Sequence, residues 1–219
     1  MVVLLFILIA AGAYFLGGLN GAIITSRLVY GDDVRKHGSG NAGLTNFYRT
    51  YGRKAVFLLI LIDVLKTALP VVIGGILLEN HAAFGTVAER IMIGRTWGGL
   101  FAMLGHAYPC LYGFRGGKCV LAGGTVAIFL SWQVALMVWG AFLIATSLTR
   151  YVSLGSILAG LLFPVALLIL GYSGWAVAIA ALCGALLIYR HKENMVRLLR
   201  RQERKFSFSR KNKSEDSAS

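Results

Sequence analysis

Residues 37–49 read His-Gly-Ser-Gly-Asn-Ala-Gly-Leu-Thr-Asn-Phe-Tyr-Arg. Glycines let backbone N–H groups converge on an anion, and the side chains of Ser39, Asn41, Thr45 and Asn46 around Gly40 add donors. Thr45 and Arg49 share one face of a helix at this spacing, and a helix starting here would aim its positive end at a bound anion. A second constellation runs Gly105-His106-Ala107-Tyr108-Pro109, then Phe114-Arg115-Gly116-Gly117-Lys118-Cys119. Gly116-Gly117-Lys118 joins bare backbone amides to one cation, a compact phosphate cradle. It lacks the GxxxxGK[ST] spacing of a nucleotide-binding loop. Thr149-Arg150-Tyr151-Val152-Ser153 forms a third polar turn, and His191, Asn194 and Arg197 step along one helical stripe. Each cluster alone also reads as an ordinary turn, cap or solvated helix end. Together they point to a phosphate-bearing substrate.

Asp63 and Lys66 lie inside an apolar run on one helical face. Ionisable groups there are costly, so they are either a structural ion pair or a device positioning the first loop. His106 reads as a helix-end packing or capping residue. Cys110, Cys119 and Cys183 show no metal or disulfide spacing and read as small packing residues.

The elements that position these residues are membrane helices. The chain has 219 residues, of which 57% are hydrophobic and 14% charged, against about 25% charged in soluble domains; its mean hydropathy is +0.71. That excludes a soluble globular protein and a disordered one. The net charge of +13 makes sense across a bilayer with positive loops gathered inside. Apolar runs predict spans over 1–25, 55–78, 91–112, 120–130, 133–148, 154–170 and 174–189. The fourth and fifth meet at Ser131-Trp132 and are either one kinked span or two short ones. The first span has no preceding Lys or Arg and no small-residue cleavage site, so it does not read as a secretory signal.

Cations of the 27–54 loop, of Arg115 and Lys118, of Arg150 and of the tail from Arg190 fall on one side only with seven spans. The expected fold is therefore an all-α integral membrane protein with about seven transmembrane helices, N-terminus outside and C-terminus cytoplasmic. Residues 1–190 form the membrane domain and 191–219 a basic tail, disordered over 212–219. The 197–205 stretch reads either as a solvated helix face or as a binder of anionic headgroups. Gly17 with Gly21, and Gly94 with Gly98, have GxxxG spacing suited to close helix packing. A small transporter or flippase for phosphorylated solutes or lipids would also suit cationic loops. It predicts polar residues at mid-membrane depth and related halves, whereas these clusters sit at one face and no repeat is seen.

GSGNAGLTNFYR (38–49), DVLK (63–66), GHAYPCLYGFRGGKCV (105–120), TRYVSLGSI (149–157) and HKENMVRLL (191–199) occur in that order. In these motifs the chain resembles the bacterial PlsY-type acyl-phosphate:glycerol-3-phosphate acyltransferases. It departs where that family usually has Pro at Ala42, Ala at Leu44 and Gly at Cys119, and a Cβ at Cys119 disfavours a positive φ; a catalytically impaired relative that only binds lipid phosphate is the corresponding alternative. The HxxxxD acyltransferase signature is absent: none of His37, His81, His106 or His191 is followed five residues later by Asp.

The resemblance implies transfer of a fatty acyl group from acyl phosphate to the 1-hydroxyl of glycerol 3-phosphate in phospholipid biosynthesis, at the cytoplasmic face of the bacterial inner membrane. No cofactor, metal or nucleic acid is implied. The partners are the two substrates, membrane lipids and the soluble enzyme that makes acyl phosphate. Ser39, Arg49, Lys118, Ser153, His191 and Asn194 resemble the family's glycerol-3-phosphate contacts. Gly116, Gly117, Thr45 and Asn46, with neighbouring Gly40 and Asn41, would hold the acyl-phosphate head and the developing oxyanion. Asp63, Lys66, His106, Arg150 and Arg197 would position them. Acyl phosphate is a mixed anhydride with a good leaving group, so no covalent enzyme intermediate is required. The hydroxyl proton goes either to His191 or to the acyl-phosphate oxygen, and the resemblance favours the second.

Overall fold

The computed structural model describes residues 1–81 and 84–206, and among them every regular element is helical. In chain order these are α1 (Val2–Gly17), α2 (Gly21–Tyr30), α3 (Leu44–Tyr51), α4 (Val56–Glu79), α5 (Val87–Ala107), α6 (Val120–Leu130), α7 (Trp132–Thr149), α8 (Val152–Ile169), α9 (Gly174–Arg190) and α10 (Lys192–Leu199). Two 3-10 turns, Val34–Lys36 and Cys110–Tyr112, lie in the loops that carry the glycine-rich motifs. Residues 212–219 lie outside the described residues.

Among the described residues, four segments are long and apolar enough to cross a bilayer: Val2–Tyr30, α4, α7 and α8. The pair α9 and α10, bent by 57°, makes a fifth if taken as one. The chain is thus an all-helical membrane protein. α5 is long enough but carries Glu89, Arg90 and Arg95. α6, with 11 residues, spans about 16 Å, half of a hydrocarbon core of about 30 Å. It is tolerated because it is wrapped by protein: Ala122–Ala127 and Leu130 are buried, and Arg95 Nη1 donates to Phe129 O at 3.1 Å, satisfying a carbonyl of its last turn.

Local chemistry moves several boundaries from the apolar runs. The first run breaks at Gly18, and Asn20 restarts it by accepting the Ile23 N–H at 3.0 Å. α5 begins earlier than its apolar run because Thr86 and Glu89 form a capping box. It ends earlier too, because Pro109 cannot extend it and holds Tyr108 out of helical geometry, φ −134°. The run across Ser131 is two helices, since Ser131 is extended and its Oγ accepts the Val134 N–H at 3.2 Å.

Small residues set the helix spacing. A Cβ on Gly94 or Gly98 of α5 would strike the Gly74 or Pro70 carbonyl of α4, and one on Gly17 would strike Ala102 O of α5. Both GxxxG pairs therefore sit at close contacts, although Gly17 and Gly21 belong to separate helices. Large apolar side chains such as Phe57, Leu136, Ile144 and Leu168 face outward, an arrangement suited to lipid and costly in water.

Candidate active site

The polar clusters converge on a cavity of about 760 Å³. Its walls include Ser39, Gly40, Asn41, Thr45, Asn46 and Arg49 from the first loop and α3, Gly116 and Lys118 from the second loop, Ser153 from α8, and His191, Asn194 and Arg197 from the α9–α10 junction. Asp63 and His106 form part of its floor, whereas Gly117, Lys66 and Arg150 stand behind the lining. On the apolar side Trp139 and Phe142 also line a narrow recess floored by Gly123, Gly124, Gly160 and Gly184.

The first loop is shaped by Asn46. Its Oδ1 accepts the Ser39 N–H at 3.0 Å, and its Nδ2 donates to Val34 O at 3.1 Å and His37 O at 3.0 Å. Asn46 is buried and its amide is consumed by the loop, so it holds the loop's shape rather than offering the free donor expected of it. Gly38 sits at φ +58° with a Cβ position blocked by that same Asn46 oxygen, a place only glycine fills without strain. Asn20 ties the loop to α2 by donating to Ala42 O at 3.1 Å.

The second loop corrects another expectation. The Gly116 and Gly117 N–H groups donate to Ala107 O at 3.3 Å and His106 O at 3.0 Å, so these amides are not bare. The glycines serve close approach: a Cβ on Gly116 would strike His106 O, and one on Gly117 the His106 ring. Arg190 holds the loop from below, its Nε donating to Gly117 O at 3.1 Å and its Nη2 to Gly116 O at 3.3 Å, with the guanidinium 4.9 Å from the Tyr108 ring centroid. Cys119 takes the left-handed conformation at φ +64° despite its Cβ, fully buried, with Sγ donating to Met103 O at 3.3 Å. The chain thus keeps the backbone turn that glycine would make.

Beneath both loops lies a buried network. Lys66 Nζ is 2.7 Å from Asp63 Oδ1 and 2.8 Å from His106 Nδ1, and Asp63 Oδ1 also accepts the Gly21 N–H at 3.0 Å. An ammonium only donates, so His106 Nδ1 accepts and the ring's proton sits on Nε2, the atom facing Gly117. Asp63 and Lys66 are an ion pair that locks α2, α4 and α5 under the loops.

Above them, Lys118 Nζ donates to Asn194 Oδ1. Burial, and then Arg197 nearby, pull the Lys118 ammonium below its ordinary pKa. His191 is buried and its Nδ1–H donates to Leu187 O at 2.8 Å. Burial pushes its pKa down to about 4, so near neutrality the ring is uncharged and Nε2 is an acceptor. Arg150 has φ +63° and caps α7. Arg197 pairs with Glu203, Nε to Oε2 at 2.8 Å.

Helix ends divide in a telling way among the described residues. α3, α6 and α10 begin at the cavity with Gly43, Cys119 and His191, and α8, preceded by Tyr151, reaches it at Val152 and Ser153; none of the four preceding residues supplies a side-chain cap. α2, α5, α7 and α9 are capped by Asn20, Thr86, Ser131 and Ser173, none of which lines the cavity. α1 and α4, which start elsewhere, also lack such caps. Helix N-termini left without a cap present N–H donors and a positive dipole end to an anion.

Residues that the sequence motifs did not single out matter here: Arg190 under the second loop, Asn20 under the first, and Glu203. Arg35 joins the two loops, its Nη1 donating to Tyr112 O at 2.7 Å while Nε and Nη2 hold Asp33 at 2.9 and 2.8 Å.

Comparison with known proteins finds relatives over most of the chain. The family model for glycerol-3-phosphate acyltransferase matches residues 7–201. Glycerol-3-phosphate acyltransferase 2 of a Bacillus cereus strain is 37% identical over 205 residues, 92% of this chain and 95% of that protein. Glycerol-3-phosphate acyltransferase of Thioalkalivibrio sulfidiphilus is 37% identical over 204 residues, 93% and 95%. The crystal structure of PlsY (YgiH), an integral membrane glycerol 3-phosphate acyltransferase, in its glycerol 3-phosphate form superposes with a TM-score of 0.80 at 36% identity, covering 92% of this chain and 96% of that one. Its lysophosphatidic acid form superposes at 0.78 and 34% identity, covering 93% and 96%. The chain belongs to the glycerol-3-phosphate acyltransferase family.

Proposed function

We propose that this protein transfers a fatty acyl group from acyl phosphate to the 1-hydroxyl of glycerol 3-phosphate, releasing lysophosphatidic acid and inorganic phosphate for phospholipid biosynthesis. The observation that carries the reading is one cavity with two characters: Arg49, Lys118, Asn194 and helix N-termini on one side, and Trp139 and Phe142 opening to an apolar recess on the other. A phosphorylated head and a fatty tail need both.

Arg49, Lys118, Ser39 and Ser153 bind the phosphate of glycerol 3-phosphate. The acyl-phosphate head lies against the N-termini of α3 and α6, with Thr45 beside it, Gly116 and Gly117 letting the second loop pack closely on His106 beneath it, and Gly40 and Asn41 shaping the first loop. The donors there stabilise the charge that grows on the attacked carbonyl oxygen. His191, neutral with Nε2 as acceptor, suits a glycerol hydroxyl rather than a phosphate oxygen, because two acceptors cannot bond. A base of that strength is mismatched to neutral pH, so the hydroxyl proton passes to the departing phosphate. The C–O bond to phosphate breaks as the ester C–O bond forms, and no enzyme nucleophile is needed.

We place seven crossings in the bacterial inner membrane, counting α5, α6 and α9, with the N-terminus outside and both the cavity and the tail facing the cytoplasm. The cations of the 27–54 loop, the second loop and the tail support this orientation. A soluble acyl-phosphate-forming enzyme would then reach the cavity directly.

The test is to mix purified protein, acyl phosphate and glycerol 3-phosphate in detergent and measure phosphate and lysophosphatidic acid. Both products are expected in equal amounts. No product from folded protein refutes the reaction, and turnover with acyl-CoA instead refutes the donor. For His191→Ala, a raised KM is expected; a fall in kcat with KM unchanged refutes its binding role.

A further inference from the structure

The family model ends at residue 201, and the chain beyond it returns to the cavity. Arg201 adopts a left-handed conformation, φ +57°, which ends α10 and turns the backbone. The Gln202 N–H then donates to Arg197 O at 2.7 Å, and the Phe206 N–H to Arg150 O at 2.7 Å. The Phe206 ring lies 5.9 Å from that of Tyr48 on α3. Residues 202–206 are thus fastened at the α7–α8 turn on one side and at α3 on the other, and residues 202–204 form part of the cavity wall.

Between these fastenings Glu203 points inward. Its Oε1 accepts from Asn194 Nδ2 at 2.6 Å and its Oε2 from Arg197 Nε at 2.8 Å, and its side chain is only 10% exposed. Asn194 in turn receives Lys118. Two anionic oxygens are therefore held by Asn194 and Arg197, directly beside Lys118, one of the cations of the proposed phosphate position. The other described carboxylates of the cavity are placed differently: Asp63 is committed to Lys66, and Glu193, with its side chain 74% exposed, reaches Arg197 Nη1 only at 4.0 Å.

We propose that Glu203 is a built-in competitor for the substrate phosphate, carried on a strap of residues 202–206 that must lift for the phosphate to bind. The inference rests on the reading of the cavity as a phosphate site. A phosphate group carries more charge and more acceptor oxygens than a carboxylate, so the cations of the cavity favour the substrate when it is present. Besides Glu203, the strap is held at the rim by the Gln202 and Phe206 backbone hydrogen bonds, by Arg49 Nη2 donating to Arg204 O at 3.5 Å, by the Lys205 ammonium 5.8 Å from the Tyr151 ring centroid and by the Phe206–Tyr48 contact, and with Gln202, Arg204 and Lys205 exposed it is a segment of the kind that opens locally.

The experiment is calorimetric titration of the full chain in detergent with glycerol 3-phosphate and, separately, inorganic phosphate, comparing wild type with Glu203→Gln, which keeps the shape and removes the charge. Both ligands are expected to bind Glu203→Gln about tenfold more tightly, the affinity a strap seated in about nine molecules of ten withholds. Phe206→Ala, which loosens the strap and keeps Glu203, should shift affinity in the same direction, and in wild type the Phe206 amide should exchange hydrogen faster once ligand is bound. Equal or weaker binding to both variants overturns the competitor and leaves the phosphate site standing, with Glu203 a positioning residue for Asn194 and Arg197. No binding to wild type or either variant overturns the phosphate site and the strap together.

Discussion

Replacing Asp63 by Asn removes one charge from a pair almost shut off from water, with side chains 2% and 3% exposed. At their separation of 2.7 Å the Coulomb attraction is about 6 kcal/mol at an effective dielectric constant of about 20. Desolvating the two ions costs several kcal/mol each and cancels most of that. Removing one partner forfeits the attraction but keeps the survivor's desolvation, so Asp63→Asn and Lys66→Met should each cost about 3–5 kcal/mol. The double variant buries no charge and should lose at least about 3 kcal/mol less than the two single costs combined. Thermal unfolding in detergent measures this: at about 2–4 °C per kcal/mol for a chain of this size, each single variant drops by about 6–20 °C and the double by at least about 6 °C less than the two drops combined. Activity should not recover, because His106 Nδ1 has lost the ammonium that held the ring against Gly117. Additive losses in the double variant would refute the coupled ion pair. Activity returning together with stability would refute the positioning of His106.

His191 titrates far below free histidine, so the unfolded chain takes up its proton first on acidification. Its share of stability is complete above about pH 6.5 and is lost as pH falls toward about 4, up to roughly 3 kcal/mol; His191→Gln should flatten the unfolding-temperature profile across that window. Arg190→Lys keeps the charge but not the fork that holds Gly116 and Gly117, and kcat/KM should fall about tenfold or more, equivalent to at least about 1.4 kcal/mol of lost transition-state stabilisation. Cys119→Gly relieves a left-handed cost of about 1–2 kcal/mol and gives up a buried thiol of similar worth, so its melting temperature should stay within about 3 °C of wild type. Cys119→Val, β-branched at positive φ, should melt well below both.

Long helices were legible because lipid demands apolar runs, and the site loops because glycine, hydroxyl and cation cluster there. The break at Gly18 was hidden, since the residues on either side of it stay apolar. α3 and α10, with 8 residues each, are too short for periodicity to declare. Arg35 and Arg190 were counted as topology cations, and nothing local distinguishes a cation that faces solvent from one that grips a carbonyl across the fold. Gly116 and Gly117 were recognisable as a tight turn, but the partners of their amides come from the end of α5, which no spacing within the loop reveals. Glu203 looked like one acid in a basic tail, because its meaning depends on a backbone turn at Arg201.

The division between capped and uncapped helices has a consequence for how the protein holds together. The starts of α3, α6, α8 and α10 have no side-chain cap, so in the proposed reaction the acyl-phosphate head would complete the first turns of α3 and α6. Substrate is then a tertiary strut as well as a reactant. Ligand binding then adds to the stability of the fold by RT ln(1 + [L]/Kd) at the ligand concentration present.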